Sequence, residues 1–376
     1  MLWVIKETEI AVIGAGPAGL GAAVTAASLG AEVTLIDRQD RLGGQLIKQT
    51  HMFFGSEKQH ASVRGIDIPA IFADQMESNG GIELLLKTTA LGCYEDGVIT
   101  LERENGAGNE NEFLKYKPES VIVATGASEK TLAFPNCDLP GIYGAGAVQT
   151  LMNVHGVIPG KRVVMIGAGN IGLIVSYQLM QAGVEVAAIV EALPQIGGYT
   201  VHASKIARLG TPILTCHTVT EAFGDDRLQG VKIVEIDENW QPVEGTEEEL
   251  EADVLCVAVG LSPLAELLWQ AGCEMVFVPQ LGGYVAQRDE NLETTRPGFF
   301  VAGDVGGIEE ASSAMVEGQI AGYQAASSLG YEDREGLYSL ADLKHQLQLL
   351  REGPVGSHIR AGLQQLKEES EVGTDA

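Results

Sequence analysis

Apolar positions in this chain fall into short runs that end at glycine turns and are followed by stretches of small and apolar residues. Residues 9–37, EIAVIGAGPAGLGAAVTAASLGAEVTLID, predict an apolar strand, a tight turn, an Ala-rich helix, a second strand and then an acid. Residues 161–191, KRVVMIGAGNIGLIVSYQLMQAGVEVAAIVE, repeat the plan. After the first copy, strand-like runs at 82–86 and 97–116, around the polar loop ENGAGNENE, predict a small meander. A buried strand then follows in each copy, PESVIVATGAS at 118–128 and ADVLCVAVGLSP at 252–263. TTRPGFFVAGD at 294–304 predicts a turn at Pro297-Gly298, a short strand and a helix from Glu310. Near the end, Leu340, Leu343, Leu347 and Leu350 share one helix face, a stripe that suits a docking surface and a core lid equally. The fold class is α/β, with two Rossmann-like three-layer dinucleotide-binding domains, each carrying a small β-meander.

The chemistry written into the two turns is specific. Gly14 allows the tight turn out of the strand, Gly16 lets the backbone approach a pyrophosphate, and Gly19 lets the helix lie close to the strand. The helix N-terminus, with Pro17 and Ala18 in its first turn, then presents free N–H groups and a partial positive charge to the phosphates. Asp37 ends the second strand, where a carboxylate accepts from ribose hydroxyls, and Arg38 follows it. In the second copy Gly167, Gly169 and Gly172 take the glycine roles, Asn170 and Ile171 open the helix, and Glu191 is the acid. A carboxylate there repels a 2′-phosphate, which favours NAD(H) over NADP(H). An aspartate at the carboxyl end of a parallel strand, as Asp304 after Gly303, points into the crevice where doubly wound sheets bind ligands.

Length and charge narrow the function class. At about 150 residues per domain, 376 residues predict two to three domains. The 47 glycines exceed the usual share of about 7%, so many backbone sites demand that residue. A net charge of −27 repels phosphate backbones and anionic headgroups, which argues against nucleic acid or a membrane as partner. Five cysteines, an odd number without C-x-x-C spacing, spell neither a disulfide framework nor a metal site and fit a reducing compartment. The first residues lack the basic n-region of a signal, and no run reaches the roughly 18 apolar residues of a membrane span. These features predict a cytoplasmic protein. No G-x-S-x-G, H-E-x-x-H or paired-carboxylate motif occurs, and the seven histidines are scattered.

GAGPAG at 14–19, LGGQ at 42–45, ATG at 124–126, GAGNIG at 167–172 and TTRPGFFVAGD resemble the flavoproteins with two dinucleotide-binding domains, related to thioredoxin reductase and the pyridine nucleotide-disulfide oxidoreductases. The resemblance runs from residue 9 to about 328. It implies FAD in a discontinuous domain of residues 1–128 and 275–330, NAD(H) in an inserted domain of residues 129–274, and a helical tail at 331–376. It further implies that Gly43, Gly44 and Gln45 line the FAD, with Thr125 and Gly126 of the ATG beside it, and that Asp304 bonds the ribityl chain. The helix N-terminus near Glu310 and Ala311 would face the pyrimidine side of the flavin. One departure matters. Neither LPGIYGAGAVQTLMN at 139–153 nor GGQLIKQTHMFFG at 43–55 contains the cysteine pair of the disulfide reductases, and thiol exchange needs two sulfurs.

The long runs at 134–183, 196–210 and 303–322 are also similar to the α-type subunits of heteromeric sarcosine oxidase, dye-linked L-proline dehydrogenase, opine oxidase and hydrogen cyanide synthase. That resemblance implies an electron-transfer subunit partnered by a flavin-containing, β-type dehydrogenase subunit, with a small [2Fe-2S] protein as a further candidate. The tail has no cysteine, so any cluster would sit on another chain. The segment at 48–65 is longer than the equivalent turn of the small reductases, and its His51, His60 and Arg64 either touch substrate or a partner or are solvated loop residues. The expected function is an FAD-dependent, NAD-linked oxidoreductase subunit. The alternatives are a stand-alone NADH:acceptor oxidoreductase and a nucleotide-binding scaffold that moves no hydride.

Overall fold

A computed structural model describes residues 4–53, 56–106 and 110–373. The chain forms two compact units, one from Met1–Ser128 with Ser262–Ala376 and one from Glu129–Leu261.

The first unit begins with β1 (Ile5–Ile13), α1 (Pro17–Ser28), β2 (Val33–Ile36), α2 (Ile68–Asn79), β3 (Ile82–Leu85), β4 (Thr88–Cys93), β5 (Ile99–Arg103) and β6 (Glu112–Val123). β3, β2, β1 and β6 run parallel in that order, and β5 and β4 continue the sheet antiparallel. Alternation sorts the side chains: Ile10 and Val12 join the core on the helical face, Ala11 and Ile13 the core on the other. The meander is not the one the sequence pattern predicts. Residues 82–85 form a parallel strand beside β2, and the first meander strand is β4, whose register shift between Ala90 and Gly92 hides it from a period-two reading. Residues 107–109 of the loop ENGAGNENE lie outside the described residues.

The chain leaves this unit through β7 (Ala127–Glu129). The second unit then follows as β8 (Ile142–Gly144), α3 (Ala145–Asn153), β9 (Arg162–Ile166), α4 (Asn170–Gln181), β10 (Glu185–Val190), α5 (Thr200–Arg208) and β11 (Ile213–Leu214). Its meander is β12 (His217–Phe223), β13 (Gly230–Glu235) and β14 (Glu248–Glu251), before β15 (Val254–Val257). Strands β11, β10, β9, β15 and β8 make a parallel sheet in that order. Helices α3 to α5 cover one face and the antiparallel meander the other, which gives three layers.

The return comes earlier than the resemblance implies, at residue 262 rather than 275. After β16 (Leu261–Pro263), α6 (Glu266–Gln270) packs Leu267 and Leu268 against the β4–β5 side of the first sheet, and the Leu264 N–H donates to the Gly126 carbonyl. β17 (Met275–Val278) and β18 (Gly283–Ala286) form a hairpin, and β19 (Phe299–Val301) joins β6 in parallel. α7 (Ala311–Ser328) then lies on α1 at backbone contact, since a Cβ on Gly318 would stand 1.9 Å from the Ala18 carbonyl oxygen and one on Gly322 2.3 Å from that of Ala22. The tail is α8 (Leu340–Leu350) and α9 (Gly353–Gly373). Leu343 and Leu347 are buried in the α1–α7 core with Leu340 and Leu350 beside them, so the leucine stripe is a core lid. Leu366 of α9 packs on the β17–β18 hairpin. No helix among the described residues is long and apolar enough to cross a membrane.

Candidate functional site

Each glycine turn is built by two close approaches. Gly14, at φ +110, leaves no room for a side chain: its Cβ would stand 2.2 Å from the Ala124 carbonyl oxygen, and a Cβ on Gly19 1.7 Å from that of Gly14. The second unit repeats this, with Gly167 2.3 Å from the Ala258 oxygen and Gly172 2.1 Å from the Gly167 oxygen on the same test. Both helices therefore start tight against the end of their central strand. Gly16 and Gly169 precede α1 and α4, and no side chain caps either helix. In front of them the space is open: a Cβ on Gly16 would meet only the Gly44 Cα, at 3.9 Å, and one on Gly169 nothing within 4 Å. Uncapped N–H groups, a helix dipole and open space are what a pyrophosphate needs, so both turns fit a dinucleotide.

The acids sit where the pattern predicts, and they have a second task. Asp37 accepts from the Ala15 N–H at 2.6 Å and the Gln39 N–H at 2.7 Å. Glu191 accepts from the Ala168 N–H at 2.7 Å and the Leu193 N–H at 3.0 Å. Each carboxylate thus ties its strand end to the glycine turn and keeps further lone pairs that can accept hydrogen bonds.

Three distant segments complete the first site. The Gly43 N–H donates to the Ala15 carbonyl at 2.8 Å, with Gly43 at φ +115 and Gly44 at φ +51, and Gly44 packs on Gly16. Gly303, at the end of β19, meets Ala18, its added Cβ standing 2.9 Å from the alanine's. Asp304 follows, its Oδ1 accepting from the Glu309 N–H at 3.3 Å, and burial raises its carboxyl to about 7. Gly14, Gly16, Ala18, Gly43, Gly44 and Gly303 are therefore brought together. Thr125 holds the return segment through its hydroxyl on the Leu264 carbonyl at 2.8 Å, while Arg38 and Gln45 are exposed. Glu310 precedes Ala311, the first residue of α7. In the second unit Asn170 accepts from the Tyr199 N–H at 2.8 Å, and Ile171 is exposed.

Sequence reading missed the counterpart of LGGQ. Gly198 N–H donates to the Ala168 carbonyl at 3.0 Å, as Gly43 does to Ala15, and Gly197 comes within contact of Gly169. The signal was the IGGY at 196–199, which repeats LGGQ. It also missed the buried Glu317 and Arg288 and the tail's Arg351, which have no motif. In the 48–65 segment, Phe53 is buried and His60 sits edge-on to Phe72, with its pKa lowered by burial; Phe54 and Gly55 lie outside the described residues.

A family model, pyridine nucleotide-disulphide oxidoreductase, matches residues 8–318. The chain belongs to that family. Membership implies binding of FAD and of an NAD(P)-type nucleotide. It is 30% identical over 340 residues to the sarcosine oxidase alpha subunit of Corynebacterium sp. (strain P-1), covering 87% of this chain and 33% of that subunit. To an opine oxidase subunit of Rhizobium meliloti (strain 1021) it is 29% identical, covering 85% of this chain and 71% of that one. The chain thus spans about a third of the length of the sarcosine oxidase subunits it matches. In fold it is similar to thioredoxin reductase of T. acidophilum, with a TM-score of 0.70 at 24% identity over 86% of this chain and 99% of that one. L-proline dehydrogenase of P. horikoshii gives 0.68 at 22% identity, over 92% and 60%.

Proposed function

We propose that this chain is the electron-transfer subunit of a heteromeric amine or amino-acid dehydrogenase, with FAD in its first unit and NAD(H) in its second. The observation that carries the proposal is the state of the cysteines. All five are free; Cys93, Cys256 and Cys273 are buried, and burial pushes the Cys93 thiol up to about 11 and the other two upward as well. A thiol relay cycles through a disulfide, and none of the five cysteines is bonded to another. Electrons on this reading pass to another carrier, and that the relatives are named as subunits supports a carrier on a second chain. The proposed partner is a flavin-containing dehydrogenase chain, with a small [2Fe-2S] protein as a further candidate.

FAD supplies the hydride and single-electron chemistry. The chain's part is to hold and orient. The α1 N-terminus behind Gly16 takes the FAD pyrophosphate, Asp37 the ribose hydroxyls and Asp304 the ribityl chain, with the start of α7 at Glu310 and Ala311 on the pyrimidine side. The α4 N-terminus behind Gly169 takes the NAD pyrophosphate, and Glu191 takes the ribose.

An anaerobic NADH titration of the purified chain, following flavin absorbance, tests this together with a search for a co-purifying flavoprotein chain. Yellow protein with such a partner, reduced by the partner's amine substrate or by NADH, is expected. The competing reading is a stand-alone NADH:acceptor oxidoreductase. Dye reduction by NADH without any second chain would replace the proposal with that enzyme, and a colourless, inert chain would replace it with a scaffold.

A further inference from the structure

The turn carrying Asp304 is held at three points by buried charged side chains. The Gly303 N–H donates to Glu317 Oε2 at 2.8 Å, the Gly306 carbonyl accepts from Arg288 Nη1 at 2.5 Å, and the Glu309 N–H reaches Asp304 itself. Glu317 comes from α7 and Arg288 from the segment after β18. The Arg288 and Glu317 side chains are each 4% exposed and lie 3.8 Å apart. Glu309, at the end of the turn, is 8% exposed in its side chain. This centre would hold three acids, Asp304, Glu309 and Glu317, against the single guanidinium of Arg288.

The second guanidinium comes from the tail. Arg351, immediately after α8, donates through Nη2 to Glu309 Oε1 at 2.5 Å and Glu317 Oε1 at 2.6 Å, and through Nε to Glu309 at 3.0 Å. Leu343 and Leu347, seated in the core, fix the register that delivers it, and Arg360 of α9 donates to the Arg351 carbonyl. We infer that Arg351 is a positioning residue for FAD, by which the C-terminal tail holds the Asp304 turn in its flavin-facing shape. It bonds Glu309 and Glu317 and acts through them. Without it, three buried carboxylates would face one cation in a medium of low dielectric, and repulsion would loosen the turn or force protons onto it. Burial raises the carboxyls of Asp304 and Glu309, and the neighbouring charge of Glu317 adds to that rise.

The inference rests on the reading of Asp304 as an FAD residue, and the test separates the two. FAD affinity of the full chain is measured by fluorescence between about pH 6 and pH 8 for wild type, Arg351→Met, and Arg351→Met with Glu309→Gln. Arg351→Met should bind FAD at least about tenfold more weakly at the upper pH, recover as the acids take up protons at the lower pH, and be rescued by Glu309→Gln. Wild-type-like affinity in Arg351→Met, or a loss independent of pH and not rescued, would overturn the inference while leaving the flavin site standing. If Arg351→Met does not fold, Glu309→Gln alone decides: a flatter pH profile of FAD affinity supports the inference and an unchanged one overturns it. A wild-type chain that takes up no FAD would instead sink the reading of the site itself.

Discussion

The backbone of Gly44 rests on that of Gly16: a Cβ on Gly44 would stand 2.7 Å from the Gly16 Cα. The two glycines are needed for different reasons. Gly16 has φ −77 and open space before it, so Gly16→Ala should fold, melting within about 0.5 kcal/mol of wild type. Its methyl group would nevertheless stand where the pyrophosphate approaches, and FAD affinity should fall at least about tenfold. Gly44→Ala, at φ +51 and against backbone, should cost the flavin-free chain about 1–3 kcal/mol. Calorimetry of the flavin-stripped variants checks the pair, and equal melting of both would contradict the distinction.

Glu191 ties its turn, and on the proposed reading its charge also selects the nucleotide. Glu191→Gln keeps an oxygen acceptor for one of its two N–H donors but removes the charge that repels a 2′-phosphate. The preference for NADH over NADPH, measured as a ratio of dissociation constants, should narrow by about tenfold. Flavin affinity should be unchanged; a matching loss there would end the assignment.

Burial raises the Asp304 carboxyl from its ordinary 3.8 to about 7. Between those values the folded chain keeps a proton that the unfolded chain has released, so stability falls as pH rises through that window and levels off above it. The slope is at most about 1.4 kcal/mol per pH unit for one proton, and Glu309, raised by the same cause, adds in the same direction. Melting of the flavin-stripped chain at a series of pH values should show this decline. Asp304→Asn should flatten it, and an undiminished slope in that variant would refute the attribution.

Leu347, 7% exposed, is part of the lid over α1 and α7. Leu347→Ala should cost about 2–4 kcal/mol by denaturant unfolding, against about 0.5 kcal/mol or less for the half-exposed Leu349. Similar costs at both positions would mean that α8 docks elsewhere.

The glycine turns, the two acids and the strand at 299–301 were legible in the sequence because each depends on local matters: a positive φ, a helix start, a run of apolar residues between turns. β4 was not legible, because a shifted register breaks the alternation that marks a strand. The end of the inserted unit was misplaced because α6 and the β17–β18 hairpin belong by packing to the first unit, and packing partners leave no period in the chain.

By itself the sequence determined that the chain builds the same nucleotide-binding turn twice, since the close approaches at Gly14, Gly19, Gly167 and Gly172 admit no other residue. Tertiary structure alone decided what surrounds those turns. It set Gly44 on Gly16, fixed α7 to α1 through Gly318 and Gly322, made a lid of the leucine stripe, and carried Arg351 from the tail to Glu309 and Glu317. The physical reason is range. A turn's requirement acts on neighbours in the chain, whereas close packing and charge balance in a buried centre are properties of segments that meet only once the fold has closed.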